Sequence, residues 1–408
     1  MSVEMSKTKR ILATIAIMAT AIAVMADLAI NPIIGVLYKT YPESMGYVNY
    51  FVSGPMLVIV FASLLTAALL KKMDKKIVMI AGGVIFAVGA ILGVFVDDWM
   101  YMCVMRTLVG LGAGIVNVVA VALIADLYTD SKTRAKITGY YNAALSLVGV
   151  IFSYLAGMLS SGQPWQSVFM LYWTAVPMVI LLILFIPSIK PSKETAEERA
   201  KAATGVKEPL GWRFWWMSFG FFLLNIVLGG TVLYYLSPYI FENNLGGTEL
   251  AGISASVKSI VGFLICLGFG FIYGKLKRYT VTICYAIAAV SLFILVLYPS
   301  VSVLLIVGTI GACTYKIAFS NAYAHGFNIV PKSRYDDSVS VITAVYGIGS
   351  FISTYYATWL LGVMNTESFT KTWTVSAIIL VAMVIADVVV ASVEKKQFPA
   401  EKQELVQE

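Results

Sequence analysis

The chain has 408 residues and a net charge of +7, and only 12% of its residues are charged whereas 59% are hydrophobic. An ordinary soluble domain carries about twice that charged fraction, so too few charged groups remain here to cover a soluble surface. The composition excludes a disordered chain, a coiled coil and most soluble enzymes, and it predicts a polytopic membrane protein.

Long apolar stretches separated by short polar loops predict the membrane-spanning helices. A helix needs about 20 mainly apolar residues to cross roughly 30 Å of hydrocarbon, and these runs are too long and lack the period of two that barrel strands require. The first stretch is too long for a signal peptide, so we predict that it is a retained helix. Twelve stretches qualify, at 11–37, 47–70, 77–96, 99–125, 137–160, 166–187, 214–241, 250–274, 280–298, 301–328, 337–362 and 372–392.

Lysine and arginine residues collect in alternate loops. With the N-terminus in the cytoplasm, 24 of the 29 basic residues fall in cytoplasmic segments, and the outer loops hold only Lys39 and Lys371. This positive-inside pattern predicts that both termini are cytoplasmic. It also argues against nucleic acid as a partner, because the basic residues form no soluble patch. We expect a monomer in a cell membrane, of the bacterial cytoplasmic type.

A charged segment divides the chain into two halves. We predict a six-helix bundle at 1–187, a cytoplasmic linker at 188–213, a second six-helix bundle at 214–394 and a cytoplasmic tail at 395–408. The halves are alike at an offset of about 200 residues, since the basic loop at 71–76 has a counterpart at 275–278 and Arg134 has one in Arg334. Two such repeats with a binding site at their interface are typical of transporters that work by alternating access.

Several motifs resemble those of the major facilitator superfamily, over essentially the whole chain. Residues 106–114, Arg-Thr-Leu-Val-Gly-Leu-Gly-Ala-Gly, resemble its RxxxGxGxG motif, and residues 71–76 resemble a degraded form of GxLxDrxGrk. Residues 126–140 and 165–169 resemble the usual starts of the fifth and sixth helices. The resemblance implies an all-α membrane fold of twelve helices in two pseudo-symmetric bundles. Its motif residues would be Lys75, Lys76, Gly110 and Gly114, the glycines allowing close helix packing.

One departure from the family pattern concerns the direction of transport. In the drug/proton antiporters of the family, the fifth helix usually carries GxxxGPxxGG. Residues 149–157 lack the Gly-Pro pair of that motif. The sequence therefore favours a symporter over an antiporter, although it leaves both open.

An acidic and a basic side chain in the first half are the candidates for proton coupling. Ionisable groups deep in a bilayer cost several kcal/mol and are usually paired or functional. Asp27 shares a helical face with Thr20 and Asn31, which predicts a polar stripe facing a central cavity. A second interpretation is that Asp27 pairs with Arg106 and fastens helices 1 and 4 together, and the two can coexist. By resemblance, Arg106 would organise the proton site or a gate.

The second half supplies the candidate substrate contacts. Lys316 shares a face with Ser320 and Tyr323 and is predicted to face the cavity, whereas His325 lies half a turn away and is predicted to pack. Lys258 is predicted to contact substrate, with an outer gate or a snorkelling lysine as alternatives. The remaining predicted substrate contacts are Asn31, Asn117, Asn142 and Tyr346. Helix 7 adds Asn225 and the pair Tyr234–Tyr235, while Asp387 is expected to lie close to water.

The charges predicted within the membrane suggest the type of substrate. Three bases and one acid predict that a small organic anion, such as a carboxylate, binds in the cavity. Proton coupling through Asp27 would support symport. The alternative is an antiporter that exports lipophilic compounds, for which methionine and aromatic side chains could line a pocket.

The sequence gives no sign of an enzyme. It contains no HExxH or GxSxG motif and only one histidine, so we predict no catalytic residue, no metal and no cofactor. The cysteines lie in apolar stretches without a CxxC pair. We expect four buried free thiols at Cys103, Cys266, Cys284 and Cys313.

Overall fold

The computed structural model of the chain describes residues 6–70, 72–128, 130–190, 209–331 and 334–397, and these ranges contain helices and no strands. Eleven of the described helices are long and apolar enough to cross a membrane. The pair Lys7–Val24 and Ala26–Thr40, bent by 46°, supplies a twelfth span. The predicted all-α fold with twelve spans is thus confirmed. Lys71, most of the predicted linker and most of the predicted tail lie outside the described residues.

We number the spans α1 to α12 in chain order. The first six are α1 (Lys7–Ala19, Ala21–Val24, Ala26–Ala29, Asn31–Ile33 and Ile34–Thr40), α2 (Met45–Leu69), α3 (Lys75–Leu92), α4 (Trp99–Leu127), α5 (Ser131–Ser160) and α6 (Trp165–Thr174 and Ala175–Phe185). The last six are α7 (Gly211–Leu224, Asn225–Tyr234 and Leu236–Glu242), α8 (Thr248–Leu267 and Phe269–Leu276), α9 (Thr280–Leu297), α10 (Val301–Ile329), α11 (Tyr335–Val363) and α12 (Phe369–Gln397).

Spans α1 and α7 are irregular at their centres, and they occupy equivalent positions in the two halves. In α1, Pro32 has no N–H, and in a regular α-helix its ring would clash with the carbonyl of Leu28. The chain forms 3₁₀ turns at Ala26–Ala29 and Asn31–Ile33 instead. The stripe expected from regular helical spacing is therefore interrupted between Thr20 and Asn31. In α7, the segment Asn225–Tyr234 is a π-helix.

Glycines in α4 allow the first half to pack closely. A Cβ atom at Gly110 would lie 2.7 Å from the Cα of Pro55 in α2, and one at Gly112 would lie 2.4 Å from the backbone nitrogen of Phe86 in α3. Gly114 lies against Ala62, also in α2. The glycines of the 106–114 motif thus bring α4 into backbone contact with two neighbours, because any side chain at these positions would collide.

The loops of the chain define two ends of the bundle. Because successive spans run in opposite directions, the loops after α2, α4, α8 and α10 lie at the same end as residues 6 and 397. We call this the basic end, since it carries the repeated lysine and arginine residues, and the other the opposite end. The loops after α1, α3, α5, α7, α9 and α11 lie at the opposite end.

The two halves meet along α5 with α8 and along α2 with α11. Gly157 and Gly252 touch backbone to backbone, and the hydroxyl of Thr248 donates to the Gly157 carbonyl at 3.1 Å. Between α2 and α11, the hydroxyls of Ser53 and Thr354 lie 2.7 Å apart. These contacts lie between the centre of the bundle and the opposite end, so the structure is closed at that end.

Candidate functional site

Asp27 and Arg106 form an ion pair in the interior of the first half. A terminal nitrogen of Arg106 lies 2.5 Å from Oδ1 of Asp27, and its Nε donates to the carbonyl of Phe51 at 2.8 Å. Arg106 is 1% exposed and Asp27 is 8% exposed. The hydroxyl of Tyr172 lies 3.5 Å from the guanidinium and donates to the carbonyl of Ala26 at 3.1 Å. The structure thus brings the two predicted proton-coupling residues together and adds Tyr172, which sequence reasoning missed.

This ion pair links three helices of the first half. The ion pair joins the irregular centre of α1 to α4, and Phe51 adds a third helix through its carbonyl and through its ring, 5.2 Å from the guanidinium carbon of Arg106. A proton added to Asp27 would remove the charge that Arg106 faces. Because a buried charge without a partner is costly, such a proton would favour a rearrangement of α1 against α4.

The predicted asparagines occupy different environments. Asn117 accepts a hydrogen bond from Tyr141 at 3.4 Å, and Thr20 donates to the same Tyr141 hydroxyl at 3.3 Å. Thr20 therefore belongs to a small polar cluster with α4 and α5. Asn31 is buried within the 3₁₀ turn of α1, whereas Asn142 is exposed on α5.

Asn225 is the centre of the polar contacts in the second half. Its Oδ1 accepts from the hydroxyls of Tyr315 at 2.7 Å and Ser350 at 3.3 Å, and its Nδ2 donates to the carbonyl of Tyr346 at 2.5 Å. The predicted residue Tyr346 is thus held against α7. An amide in the middle of an apolar span was the sequence signal, but the spacing could not show that it joins three helices.

The two predicted lysine contacts lie in different surroundings. Lys316 is exposed on α10. Its side chain lies against Gly262 of α8, since a Cβ atom on that glycine would be 3.2 Å from the Cγ of Lys316. Lys258 is 7% exposed and lines an enclosed cavity whose lining residues all belong to the second half. Neither lysine has an ion-pair partner among the described residues. The structure therefore does not place the two ammonium groups in one pocket.

The degraded loop motif makes specific contacts at the basic end. The ammonium of Lys75 contacts the carboxylate of Asp126, at the end of α4. Asp74 accepts hydrogen bonds from the Ser188 hydroxyl and from the amides of Lys76 and Ile189. Partial burial raises the pKa of Asp74, but these hydrogen bonds and the nearby positive charge outweigh it and hold the pKa below its ordinary value.

A charge cluster that sequence reasoning missed lies near the basic end of the second half. Arg278 donates to both carboxylate oxygens of Asp387, at 2.9 and 3.0 Å, and also contacts Glu394. Trp216 donates to Asp387 at 2.9 Å. Asp387 lies toward the basic end, as expected, but it is only 2% exposed because these partners cover its carboxylate. The spacing of seven residues between Asp387 and Glu394 puts both acids on one face of α12, which was an available signal.

The histidine and the cysteines make local contacts. Nδ1 of His325 lies 3.2 Å from the hydroxyl of Tyr273, and the ring is half-buried. Cys266 is exposed, contrary to expectation, because its part of α8 is covered incompletely by neighbouring helices; its sulfur lies 3.9 Å from the hydroxyl of Ser320. The expected burial holds for Cys103, Cys284 and Cys313.

Comparison with known proteins finds a family whose model matches most of the chain. The family model of the Major Facilitator Superfamily matches residues 16–354. The chain is 32% identical over 146 residues to the sugar transport protein MST8 of Oryza sativa subsp. japonica, which covers 34% of the chain and 27% of that protein. It is 31% identical over 154 residues to the multidrug resistance protein MdtL of Klebsiella pneumoniae (strain 342), which covers 38% of each. These matches span less than half of either relative.

The fold is also similar to a solved structure over nearly the whole chain. A bacterial homologue of the human lysosomal transporter Spinster superposes with a TM-score of 0.70 at 16% identity, covering 95% of this chain and 96% of that one. At this identity the likeness concerns the arrangement of the helices alone.

Proposed function

The chain belongs to the Major Facilitator Superfamily and is a membrane transporter, and on that premise we propose that it carries a small organic anion across the cytoplasmic membrane in symport with protons. The carboxylate is the simplest candidate for the charged group of the solute. The two halves would expose a site between them alternately to each side of the membrane. The basic end would face the cytoplasm, as the distribution of lysine and arginine predicts.

The observation that carries this proposal is the charge balance of the spans. Arg106 is neutralised by Asp27, whereas Lys316 has no acidic partner among the described residues. A cation in the span of a bilayer is costly unless another charge compensates it. A bound anion would supply that charge, so Lys316 is the proposed contact for the carboxylate of the solute.

Polar groups from both halves would complete the site. Asn31, Asn117 and Asn142 come from the first half, and Tyr346 comes from the second. Amide and phenol groups can bind the uncharged part of a small solute and set its orientation. Lys258 is left out of this proposed site because it lines an enclosed cavity within the second half.

Proton coupling would operate through the pair of Asp27 and Arg106. A proton and the guanidinium compete for the same carboxylate, since protonation of Asp27 removes its attraction for Arg106. The occupancy of the proton site would then bias the packing of α1 against α4. A change in that packing alters the interface between the halves, because α1 contacts α7 where the hydroxyl of Ser237 donates to the Pro32 carbonyl at 2.6 Å.

The test is transport by the purified protein in proteoliposomes under an imposed proton gradient. A thermal-shift screen of organic acids would first select the solute. We expect Lys316→Met to lower uptake at least about ten-fold, as loss of a charge-assisted contact predicts, and Lys316→Arg to retain part of it. We expect Asp27→Asn to abolish accumulation driven by the gradient but to retain exchange of solute across the membrane.

An exposed lysine provides the matched control. Lys371 lies near the start of α12, and Lys371→Met should transport at the wild-type rate. Undiminished accumulation of the anion by both Lys316→Met and Asp27→Asn would overturn the proposal.

A second candidate is export of lipophilic compounds in exchange for protons. A largely apolar cavity of about 590 Å³ lies toward the opposite end and is lined by residues of α2, α4 and α11, including Tyr50, Met100 and Tyr355. Its size suits a drug-sized molecule, and MdtL is a multidrug resistance protein. If a host that expresses the chain becomes resistant to lipophilic drugs, and Lys316→Met leaves that resistance intact, this function replaces the first.

A further inference from the structure

A small enclosed cavity lies within the second half of the molecule. It is bounded by α7, α8, α9, α10 and α12, and it has room for a particle about the size of one water molecule. Its polar lining residues are Thr231, Lys258, Ser291 and Trp373. The other lining residues are leucines and glycines, so four polar side chains are grouped here among apolar ones.

Three of the four polar residues of this cavity carry donors that lack acceptors. Lys258 is 7% exposed and makes no hydrogen bond or ion pair with another described residue. The indole nitrogen of Trp373, a residue that is 2% exposed, also has no hydrogen-bond partner. Ser291 is buried and its hydroxyl makes no hydrogen bond within the described chain. Buried polar groups of native proteins are normally hydrogen-bonded, so three such groups around one cavity require a partner.

The chemistry of the partner follows from the sign of the charge and from the size of the space. An ammonium in a low-dielectric interior is compensated best by a negative charge, and an indole N–H can only donate. The hydroxyl of Thr231 donates to the Leu228 carbonyl at 2.9 Å, which leaves its lone pairs for other donors. The ammonium of Lys258 lies beside Gly308, since a Cβ atom on that glycine would be 3.7 Å from the Lys258 Nζ. A water molecule would satisfy hydrogen bonds but would leave the charge uncompensated, and a carboxylate would not fit.

We propose that this cavity is a binding site for a single halide ion, with chloride as the physiological ligand, held by the ammonium of Lys258, the hydroxyl of Ser291 and the indole N–H of Trp373. The ion would join α8, α9 and α12, which meet around it. The site is a structural feature of the second half and does not depend on the solute that Lys316 is proposed to bind.

The first experiment measures the thermal unfolding of the purified full chain in potassium gluconate, to which chloride or bromide is added at constant ionic strength. We expect a saturable rise of the melting temperature with halide, because a ligand that binds the folded state alone stabilises it. Lys258→Met should lose this response. Trp373→Phe keeps an aromatic ring against Tyr239 and should weaken the apparent halide affinity about ten-fold.

Two lysine variants serve as controls. Lys371→Met removes an exposed lysine on the same helix as Trp373. Lys316→Met removes the lysine that, like Lys258, lies deep within a span. Both should keep the wild-type halide response. Loss of the response in Lys316→Met but not in Lys258→Met would move halide binding to the proposed solute site and overturn the inference.

The second experiment locates the ion directly. Crystals soaked in bromide should show an anomalous peak between Lys258 and Trp373, and this peak should be absent from Lys258→Met. A wild-type melting temperature that does not change with halide, or bromide peaks elsewhere only, would show that the cavity does not bind halide and would overturn the proposal. If Lys258→Met does not fold, Trp373→Phe gives the same decision through its shifted affinity.

Discussion

Arg106 is surrounded by groups that suit a guanidinium, and each of them comes from a different helix. Asp27 of α1 supplies the counter-charge, the carbonyl of Phe51 in α2 supplies an acceptor, and Tyr172 of α6 lies beside both. A buried ion pair of this kind contributes little net stability relative to apolar side chains. Removal of one partner is destabilising, however, because it leaves the other as a buried charge without compensation. The pair is therefore sensitive to any event that changes the charge of one member.

We predict that Arg106→Met lowers the apparent free energy of unfolding by about 3 kcal/mol, because it leaves Asp27 buried without a partner. The double variant Asp27→Asn/Arg106→Met should be destabilised by clearly less than the sum of the single variants. Thermal unfolding of the four proteins in one detergent measures this coupling. Arg134→Met, which removes an exposed arginine, should unfold as the wild type does. Additive effects of the two substitutions would show that the contact carries no coupling.

The residue scale also shows what the sequence could and could not reveal. The scarcity of charge in the spans singled out Asp27, Arg106, Lys258 and Lys316, because each is costly in a bilayer. The pairing of the first two was one of two predicted interpretations. The separation of the two lysines was not predictable, since helical spacing gives the face of a residue but not the neighbour that covers that face.

Among the elements, α1 and α7 both have irregular turns at their centres. Both carry their irregular turns where the candidate site lies, at Asp27 in one and Asn225 in the other. Irregular backbone at membrane depth is tolerated where protein or a cavity surrounds it. Pro32 was a readable signal for the break in α1, because proline cannot continue an α-helix. In α7, Pro238 comes just after the π-helix, and the sequence gives no sign of the π-helix itself. Asn225 at its start is hydrogen-bonded to residues of α10 and α11, which the sequence does not display.

The crossing of α5 and α8 closes the opposite end, and one glycine tests it. We predict that Gly252→Val opens this end, because a Cβ atom there would lie 2.5 Å from the carbonyl oxygen of Ser153. The reporter is Ser53→Cys, a buried position between α2 and α11, labelled with a membrane-impermeant maleimide and located by mass spectrometry. Labelling should accelerate about ten-fold, which corresponds to a shift of about 1.4 kcal/mol in the equilibrium between closed and open forms.

The matched control for this experiment lies on the same helix. A side chain at Gly270 of α8 would meet no atom within 4 Å, so Gly270→Val should leave the labelling of the Ser53→Cys reporter unchanged. Equal rates in the two valine variants would mean that the contact of α5 with α8 does not hold the opposite end closed.

At the scale of the whole molecule, the two halves differ in how they use charge. The first half fastens its loop to α4 through Lys75 and Asp126 at the basic end. In the second half, Arg278 occupies the corresponding loop but binds Asp387 and Glu394 of α12. The sequence repeat predicted equivalent loops, and only the structure shows that their partners lie on different helices. Each half thus holds its own basic end together, while the contacts described between the halves lie nearer the opposite end, so the halves can separate at the basic end without breaking either cluster.

Alternating access requires a defined orientation in the membrane, and the distribution of lysine and arginine predicts that the basic end is cytoplasmic. Met73, in the loop between α2 and α3, and Tyr298, in the loop between α9 and α10, are both exposed and lie at different ends. In intact cells, an impermeant maleimide should label Tyr298→Cys and leave Met73→Cys unlabelled, and permeabilisation should expose Met73→Cys. The parent chain, with its four native cysteines, gives the background. The reverse pattern would invert the proposed topology, and the state closed at the opposite end would then be closed toward the cytoplasm.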